Sequence, residues 1–533
     1  VFHRLPIFMA DIDRIEVVRG PGGATWGPNA FTGVINVIPK SPRDMEPWLY
    51  SGTVSGFGDV YSHVRHADSV GKWDYRVSLG YENRVSSADA LNDATIPEND
   101  WSETSKVDSE VIYNFADSTR LRLGIGYADQ DMGAPEWLLL DPGDREKQYT
   151  TARGFTTLEH RFADTSELSL EWASNYEISD DPAIVSEYRT WENDLTLEYT
   201  LPTFSNHDIM VGGNIRLTDL KDTATQPEEF RLAENNRTER WLGLFALDRW
   251  QATQRLLIEA QARVDDYSET KPDFSGRLAI MYALDRRLNH VIRLAGARAV
   301  RTPLSATQGL EAARLFVPTP DPVPLFTLTP GEPENETTWA IETGYVGQLD
   351  NTITLRLDGY YQRFEDLIFF PGEQVGLTNV NTTANGKGAD AWGIEGQLTG
   401  YNGPWSADVW YQWHYFEPDE EGQQYRAFAP AEHGVGVQLR YRFWQTAEAG
   451  LSYRYSSSTD FDDGSVFTQE EPELDDWHRL DFSITGNLTR EMSYRAAIQD
   501  IFNETEKSIA GIGDSQTHLV PGRTILGTVR WAF

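Results

Sequence analysis

A membrane-spanning β-barrel is the fold this sequence predicts, on three observations. The chain has 533 residues yet is only 40% hydrophobic, and no run approaches the roughly 18 apolar residues of a membrane helix. Aromatic residues are plentiful all the same, with 17 Trp, 23 Tyr and 24 Phe. From about residue 49 to the end, runs of about ten residues alternate apolar with polar and are separated by turns or loops. A barrel strand meets lipid only at every second residue, so it crosses a bilayer without a long apolar run.

The alternation is read directly from the residues. In "SADVWYQWHY", Ala407, Val409, Tyr411, Trp413 and Tyr415 share one face, and Ser406, Asp408, Trp410, Gln412 and His414 the other. In "TITLRLDGYY", Ile353, Leu355, Leu357 and Tyr361 oppose Thr354, Arg356 and Asp358. "LRLGIGY" places Leu121, Leu123, Ile125 and Tyr127 on one side. The last strand, "RTILGTVRWAF", sets Ile525, Gly527, Val529 and Trp531 against Thr524, Thr528 and Arg530, and it ends on Phe533.

Connections come in two kinds. Short ones carry an acidic turn, at Asp117, Asp164 and Asp350. Long ones are polar and acidic, at 86–103, 218–240, 302–336 and 456–476. Tight turns alternating with long loops are the layout of an outer-membrane barrel. A soluble sandwich or propeller needs no outward faces of Trp and Tyr, and its loops are more uniform. The length after the opening segment suits about 22 antiparallel strands, and a lumen that wide leaks unless something fills it.

Charge and composition narrow the function. Formal net charge is −36, which repels nucleic acid. There is no cysteine, so there is neither a disulfide framework nor a thiolate metal site. The sequence starts at Val1 with no signal peptide, so any targeting segment is expected upstream.

The opening stretch, "RIEVVRGPGGATWGPNAFTGVINVI" (14–38), is of another kind. Two β-branched runs flank a loop rich in glycine. A P-loop needs Lys and Ser/Thr after its last Gly, where this chain has Pro28 and Asn29. A dinucleotide fingerprint needs a third Gly where Thr25 stands, and the following β-run denies it a helix N-terminus. What remains is a compact strand–turn–strand element whose glycines permit positive φ and close backbone approach.

That stretch, extended to Asp13–Lys40, resembles the end of the plug domain of TonB-dependent receptors. Those read I-E-R-I-E-V-x-R-G-P, a Tyr-Gly or Trp-Gly pair, then G-G-V-I-N-I-x-T-K. Thr32 and Pro39 depart from the pattern but leave the Arg-Gly-Pro core intact. "ARAVRTPLSATQGL", "PENETTWAIETGYVG", "ADAWGIEGQLTG", "IQDIFNETE" and "VPGRTILGTVRWAF" resemble barrel segments of the same family. Trp531 and Phe533 are similar to the C-terminal assembly signal of bacterial barrels.

The resemblance implies two domains: residues 1–45 as the C-terminal part of a plug inside the lumen, and 46–533 as the barrel. It implies that the front of the plug and the TonB box lie upstream. The plug turn is Gly20, Pro21, Gly22, Gly23 and Gly27. Arg19 of the R-G-P motif is expected to pair, buried, with the motif-matched barrel residues Glu342 and Glu395. Ile341 and Thr343 would then face outward and Glu342 inward, where a carboxylate needs a cation. The implied function is active uptake of a scarce nutrient, with the TonB-ExbB-ExbD complex, the lipid bilayer and lipopolysaccharide as partners. A ferric siderophore is the default cargo, while cobalamin, haem or an oligosaccharide stay open. So do an ungated porin and a surface-binding barrel, the porin being disfavoured by the plug segment.

Other signals carry less. His63 and His66 fall on opposite faces of a strand and cannot share a metal simply. "DFDDG" (460–464) misses the D-x-D-x-D-G calcium pattern. No catalytic set is supported by a local motif, so the chain is expected to be no enzyme and to carry no cofactor.

Overall fold

The computed structural model describes residues 5–85, 101–133, 146–181, 186–223, 231–232, 236–303, 310–316, 323–369, 372–375, 378–386, 388–419, 431–460, 473–503, 506–509, 517–520 and 522–533. A 22-strand antiparallel barrel dominates it. The first barrel strand, Trp48–Ser55, closes the sheet against the last, Thr524–Ala532, with Tyr50 opposite Trp531.

Burial along the strands is inverted relative to a soluble protein. In Trp73–Arg84, Val77 and Leu79 are 41% and 52% exposed, while Arg76 and Ser78 are 3% and 0% exposed. The apolar face looks out to lipid and the polar face looks into the lumen. Tyr411 and Trp531 are exposed, as expected of the outer face. Asp408 accepts hydrogen bonds from Gln397 at 2.8 Å and Thr399 at 2.7 Å on the inner face. His63 and His66 part company as the alternation predicts. His63 stacks on Phe8 inside, and His66 on Trp48 outside.

Aromatic side chains gather at the short-turn end, where a barrel meets the bilayer interface. Trp48, Tyr50, Trp531 and Phe533 stack across the closure, and Trp73 meets Tyr113, and Trp405 meets Tyr441. The short turns are built by their acidic residues. Asp350 accepts from Thr352 N and Oγ1 at 2.7 Å each and from Ile353 N at 2.8 Å. Asp164 accepts from Ser166 N and Oγ. Each closes an Asx-type turn that the following strand continues.

The opposite end departs from the sequence reading. Parts of the long loops pair into a five-stranded sheet of Arg231–Leu232, Leu310–Phe316, Val323–Thr329, Thr378–Thr382 and Gly372–Val375. Two of its pairings are local hairpins, but the other two join segments distant in sequence, and no local turn signal announces those.

The opening segment forms its own two-stranded sheet, Ile12–Arg19 against Gly33–Pro39, joined through a one-turn helix, Gly23–Trp26. It contacts inward-facing residues on two opposed walls of the barrel.

Candidate functional site

Where the opening segment meets the inner wall, the glycine turn comes first. Gly20 and Gly27 sit at φ +85° and +86°, a region that side chains disfavour. A Cβ on Gly20 would strike the carboxylate of Glu342, and one on Gly23 would lie 2.9 Å from Ser275 Oγ and 3.0 Å from Ala299 Cβ. Thr25 Oγ1 donates to Gln261 Oε1 at 2.5 Å. Asn29 N donates to Val300 O at 3.1 Å, and Asn29 Oδ1 accepts from Thr302 N at 3.0 Å. The glycines serve close packing against the wall. Phe31 buries itself with Phe364, Leu367 and Ala389, and the Arg301 guanidinium lies over its ring.

The motif residues are placed as follows. Arg19 forms an ion pair with Glu395. Its side chain is 67% exposed, where the sequence suggests a buried guanidinium. Glu342 does face inward, 5% exposed, with Ile341 outward at 61%. Its cations are Arg277, donating at 3.1 and 2.7 Å, and Arg293 at 3.7 Å. The reason is local. Ala295 and Ala297 stand inward on the strand between Arg277 and Glu342, and their small side chains let the guanidinium reach across.

The most deeply built part of the interface lies on the far wall, at a residue the motif does not mark. Asp11, 2% exposed, accepts from Arg65 Nη1 at 3.0 Å and from Ser78 Oγ at 2.5 Å. Arg76 Nη1 is 3.9 Å away and pairs in turn with Asp108. Arg153 also donates to Asp108, at 2.7 Å, and Arg122 to Glu110, at 2.6 Å. Arg43 adds a bidentate contact to Asp74 at 3.2 and 3.1 Å. The signal was present as charged residues at inward positions of successive strands, in "HVRHAD", "DYRVSL" and "KVDSEV". Among the described residues no group of three or more His, Asp or Glu could hold a metal ion. Residues 461–464 of "DFDDG" lie outside the described residues.

A 22-strand barrel with a segment tied across its lumen defines a plugged outer-membrane barrel. The family model described as "TonB dependent receptor-like, beta-barrel" matches residues 45–501. The chain belongs to that family and sits in the outer membrane. It is 27% identical over 148 residues to the rhizobactin receptor of Rhizobium meliloti (strain 1021), over 25% of this chain and 19% of that protein. It is 47% identical over 45 residues to the vitamin B12 transporter BtuB of Vibrio vulnificus (strain CMCP6), over 8% of this chain and 7% of that one. These matches thus span under a fifth of each curated relative.

Solved structures share the fold. The ferric enterobactin receptor PfeA of Pseudomonas aeruginosa superposes with a TM-score of 0.81 at 13% identity, covering 99% of this chain and 86% of that one. The siderophore receptor PirA of Acinetobacter baumannii gives 0.77 at 15%, covering 98% and 85%. The ferripyoverdine receptor of Pseudomonas aeruginosa gives 0.75 at 16%, covering 98% and 77%.

Proposed function

We propose that this chain takes up a ferric siderophore across the outer membrane, driven through TonB with ExbB-ExbD, and that residues 1–45 are the end of its plug. The observation that carries this is the fastening of the opening segment to opposed inner walls, by Asp11 with Arg65 and by Asn29 with Val300 and Thr302. A porin has no use for a segment that obstructs its lumen, whereas a gated receptor needs one that is held and then released. The cargo class is supported by the rhizobactin receptor among the relatives and by siderophore receptors sharing the fold. A second reading, cobalamin, is favoured by the short match to a vitamin B12 transporter.

The test is uptake of radioactive iron, presented as different siderophores, by iron-starved cells that express the receptor, with and without TonB. Uptake of a ferric siderophore that stops without TonB is expected. Uptake that persists without TonB overturns the energised reading, and labelled cobalamin accumulating in place of iron overturns the cargo.

A further inference from the structure

The short turns of an outer-membrane barrel lie at its periplasmic end. In this chain two neighbouring ones stand out by charge. Residues 254–255 join Asn236–Thr253 to Leu256–Tyr267, and residues 284–289 join Asp273–Ala283 to His290–Arg301. Together they hold Arg255, Arg286 and Arg287, all exposed, whereas every other short turn holds one basic residue or none between its strands. The two turns lie side by side, because Leu256 pairs with Tyr282 and Ala283 N donates to Arg255 O at 2.8 Å.

Their surroundings belong to the lipid boundary. Tyr282 shares its face with the exposed Leu278 and Ile280, and His290 shares its face with the exposed Ile292 and Leu294. The Arg255 guanidinium lies over the Tyr282 ring, 5.4 Å from its centroid, and His290 Nδ1 is 2.9 Å from the Tyr345 hydroxyl. Rings with one polar end sit at the headgroup level of a bilayer. Arg286 and Arg287 are bracketed by Leu284 and Leu288, 50% and 55% exposed. Leu288 sits at φ +60°, a conformation that Gly or Asn takes readily and a bulky side chain does not. In a turn surrounded by water, leucine there gains nothing. Against acyl chains it gains the burial of its side chain. The turn therefore reaches the acyl boundary, which sets its arginines level with lipid phosphates. A plug lies within the lumen and does not cover this outward rim.

The arginines are not neutralised from within. Among the described residues none of the three guanidiniums makes an ion pair or a side-chain hydrogen bond. Asp285, in the same turn, is occupied: it accepts from Arg287 N at 3.1 Å and His290 N at 3.0 Å. Asp248, on the adjoining strand, pairs with His207 at 2.8 Å. Adjacent like charges repel unless an anion lies among them, and a chain of net charge −36 has carboxylates enough to have supplied one.

We propose that these two turns bind the phosphate group of an anionic phospholipid of the periplasmic leaflet. The guanidiniums offer forked donors to its oxygens, while Leu284 and Leu288 meet its acyl chains. A zwitterionic lipid brings its own cation to the site and is held less well. The site is independent of what the receptor transports.

Native mass spectrometry of the purified full chain tests this, in neutral-detergent micelles doped with equal amounts of phosphatidylglycerol and phosphatidylethanolamine. Wild type should retain phosphatidylglycerol with a preference of at least about tenfold. The triple variant Arg255→Gln, Arg286→Gln, Arg287→Gln should lose the preference, and the corresponding Lys variant should keep most of it. Arg490→Gln, in a turn with a single arginine, should leave it unchanged. Leu288→Asn suits the backbone, so in lipid-free micelles it should unfold at the same temperature as wild type or higher, yet it should retain less phosphatidylglycerol. Equal retention of both lipids by wild type overturns the site and leaves an acidic protein segment as its occupant. A loss with Arg490→Gln as large as that of the triple variant also overturns it, since net charge alone would then be sensed. Displacement of the bound lipid by glycerophosphoglycerol, its soluble headgroup, would make this a site for free phosphate esters and overturns the lipid as ligand. Undiminished retention by Leu288→Asn overturns the placing of the turn at the acyl boundary.

Discussion

Asp11 and Arg65 form an ion pair of 3.0 Å with side chains 2% and 1% exposed, joining the opening segment to the barrel wall. Removing one partner of a buried pair costs about 3–5 kcal/mol, and Asp11→Ala should fall towards the lower end because Arg65 retains Glu46 at 3.4 Å. Asp11→Ala also removes the acceptor of the Ser78 hydroxyl, whereas Arg76 keeps its pairing with Asp108. We expect it to loosen the segment, making residues 12–40 accessible to protease in intact outer membranes. The double variant Asp11→Ala, Arg65→Met should be less accessible than Asp11→Ala alone. If the double variant is cleaved faster, the pair is not the fastening.

Arg19 and Glu395 should behave differently. The Arg19 side chain is 67% exposed, and ion pairs open to water contribute about 0–1 kcal/mol. Arg19→Ala is therefore expected to change docking little. Arg277→Ala leaves Glu342, 6% exposed in its side chain, with only Arg293 at 3.7 Å. It should cost several times more, about 2–4 kcal/mol given the remaining cation. Arg277 and Glu342 are both barrel residues, so the two losses are read separately: denaturant titration of segment release, followed by a fluorophore on residue 26, for Arg19→Ala, and urea titration of the barrel for Arg277→Ala. Equal losses would show that the motif arginine carries more than its exposure suggests.

What could be read from the sequence follows from range. Alternation is a property of neighbouring residues, so the facing of Tyr411, Trp531 and Glu342 was legible, and so were the short turns at Asp164 and Asp350. The glycine turn was legible because Gly20 and Gly27 mark a backbone requirement. Partner choice was not. Which arginine reaches Glu342 depends on alanines on the neighbouring strand, with Arg277 two strands away, and Asp11 finds Arg65 only once the segment crosses the lumen. The outer five-stranded sheet was hidden for the same reason, since two of its pairings join different loops.

Ile341 and Glu342 are adjacent in sequence and face opposite solvents, 61% and 5% exposed. A cation in the middle of the lipid face costs about 2–4 kcal/mol. Ile341→Arg should lower barrel stability by that amount in lipid vesicles, measured by urea titration of Trp fluorescence. Thr354→Arg, on the inner face by register with Thr399, should cost far less. Equal costs would reverse the facing of these strands.

The turn at Asp350 gives a pH dependence of definite sign. The Thr352 hydroxyl, together with the Thr352 and Ile353 amides, holds the Asp350 carboxyl below the usual carboxylate range. A folded-state value depressed below the unfolded one stabilises the fold above the unfolded value, about 3.9, and the gain is lost as pH falls through the folded value. Asp350→Asn keeps an oxygen to accept from the same amides but cannot ionise. Urea midpoints of wild type and Asp350→Asn should therefore differ at about pH 6 and converge towards about pH 3. The turn is open to water, so the difference should be small, and it is read as wild type minus variant to cancel the titration of every other carboxylate. A gap that stays constant across that range would mean the turn is held by its hydrogen-bond geometry alone, with no contribution from the charge.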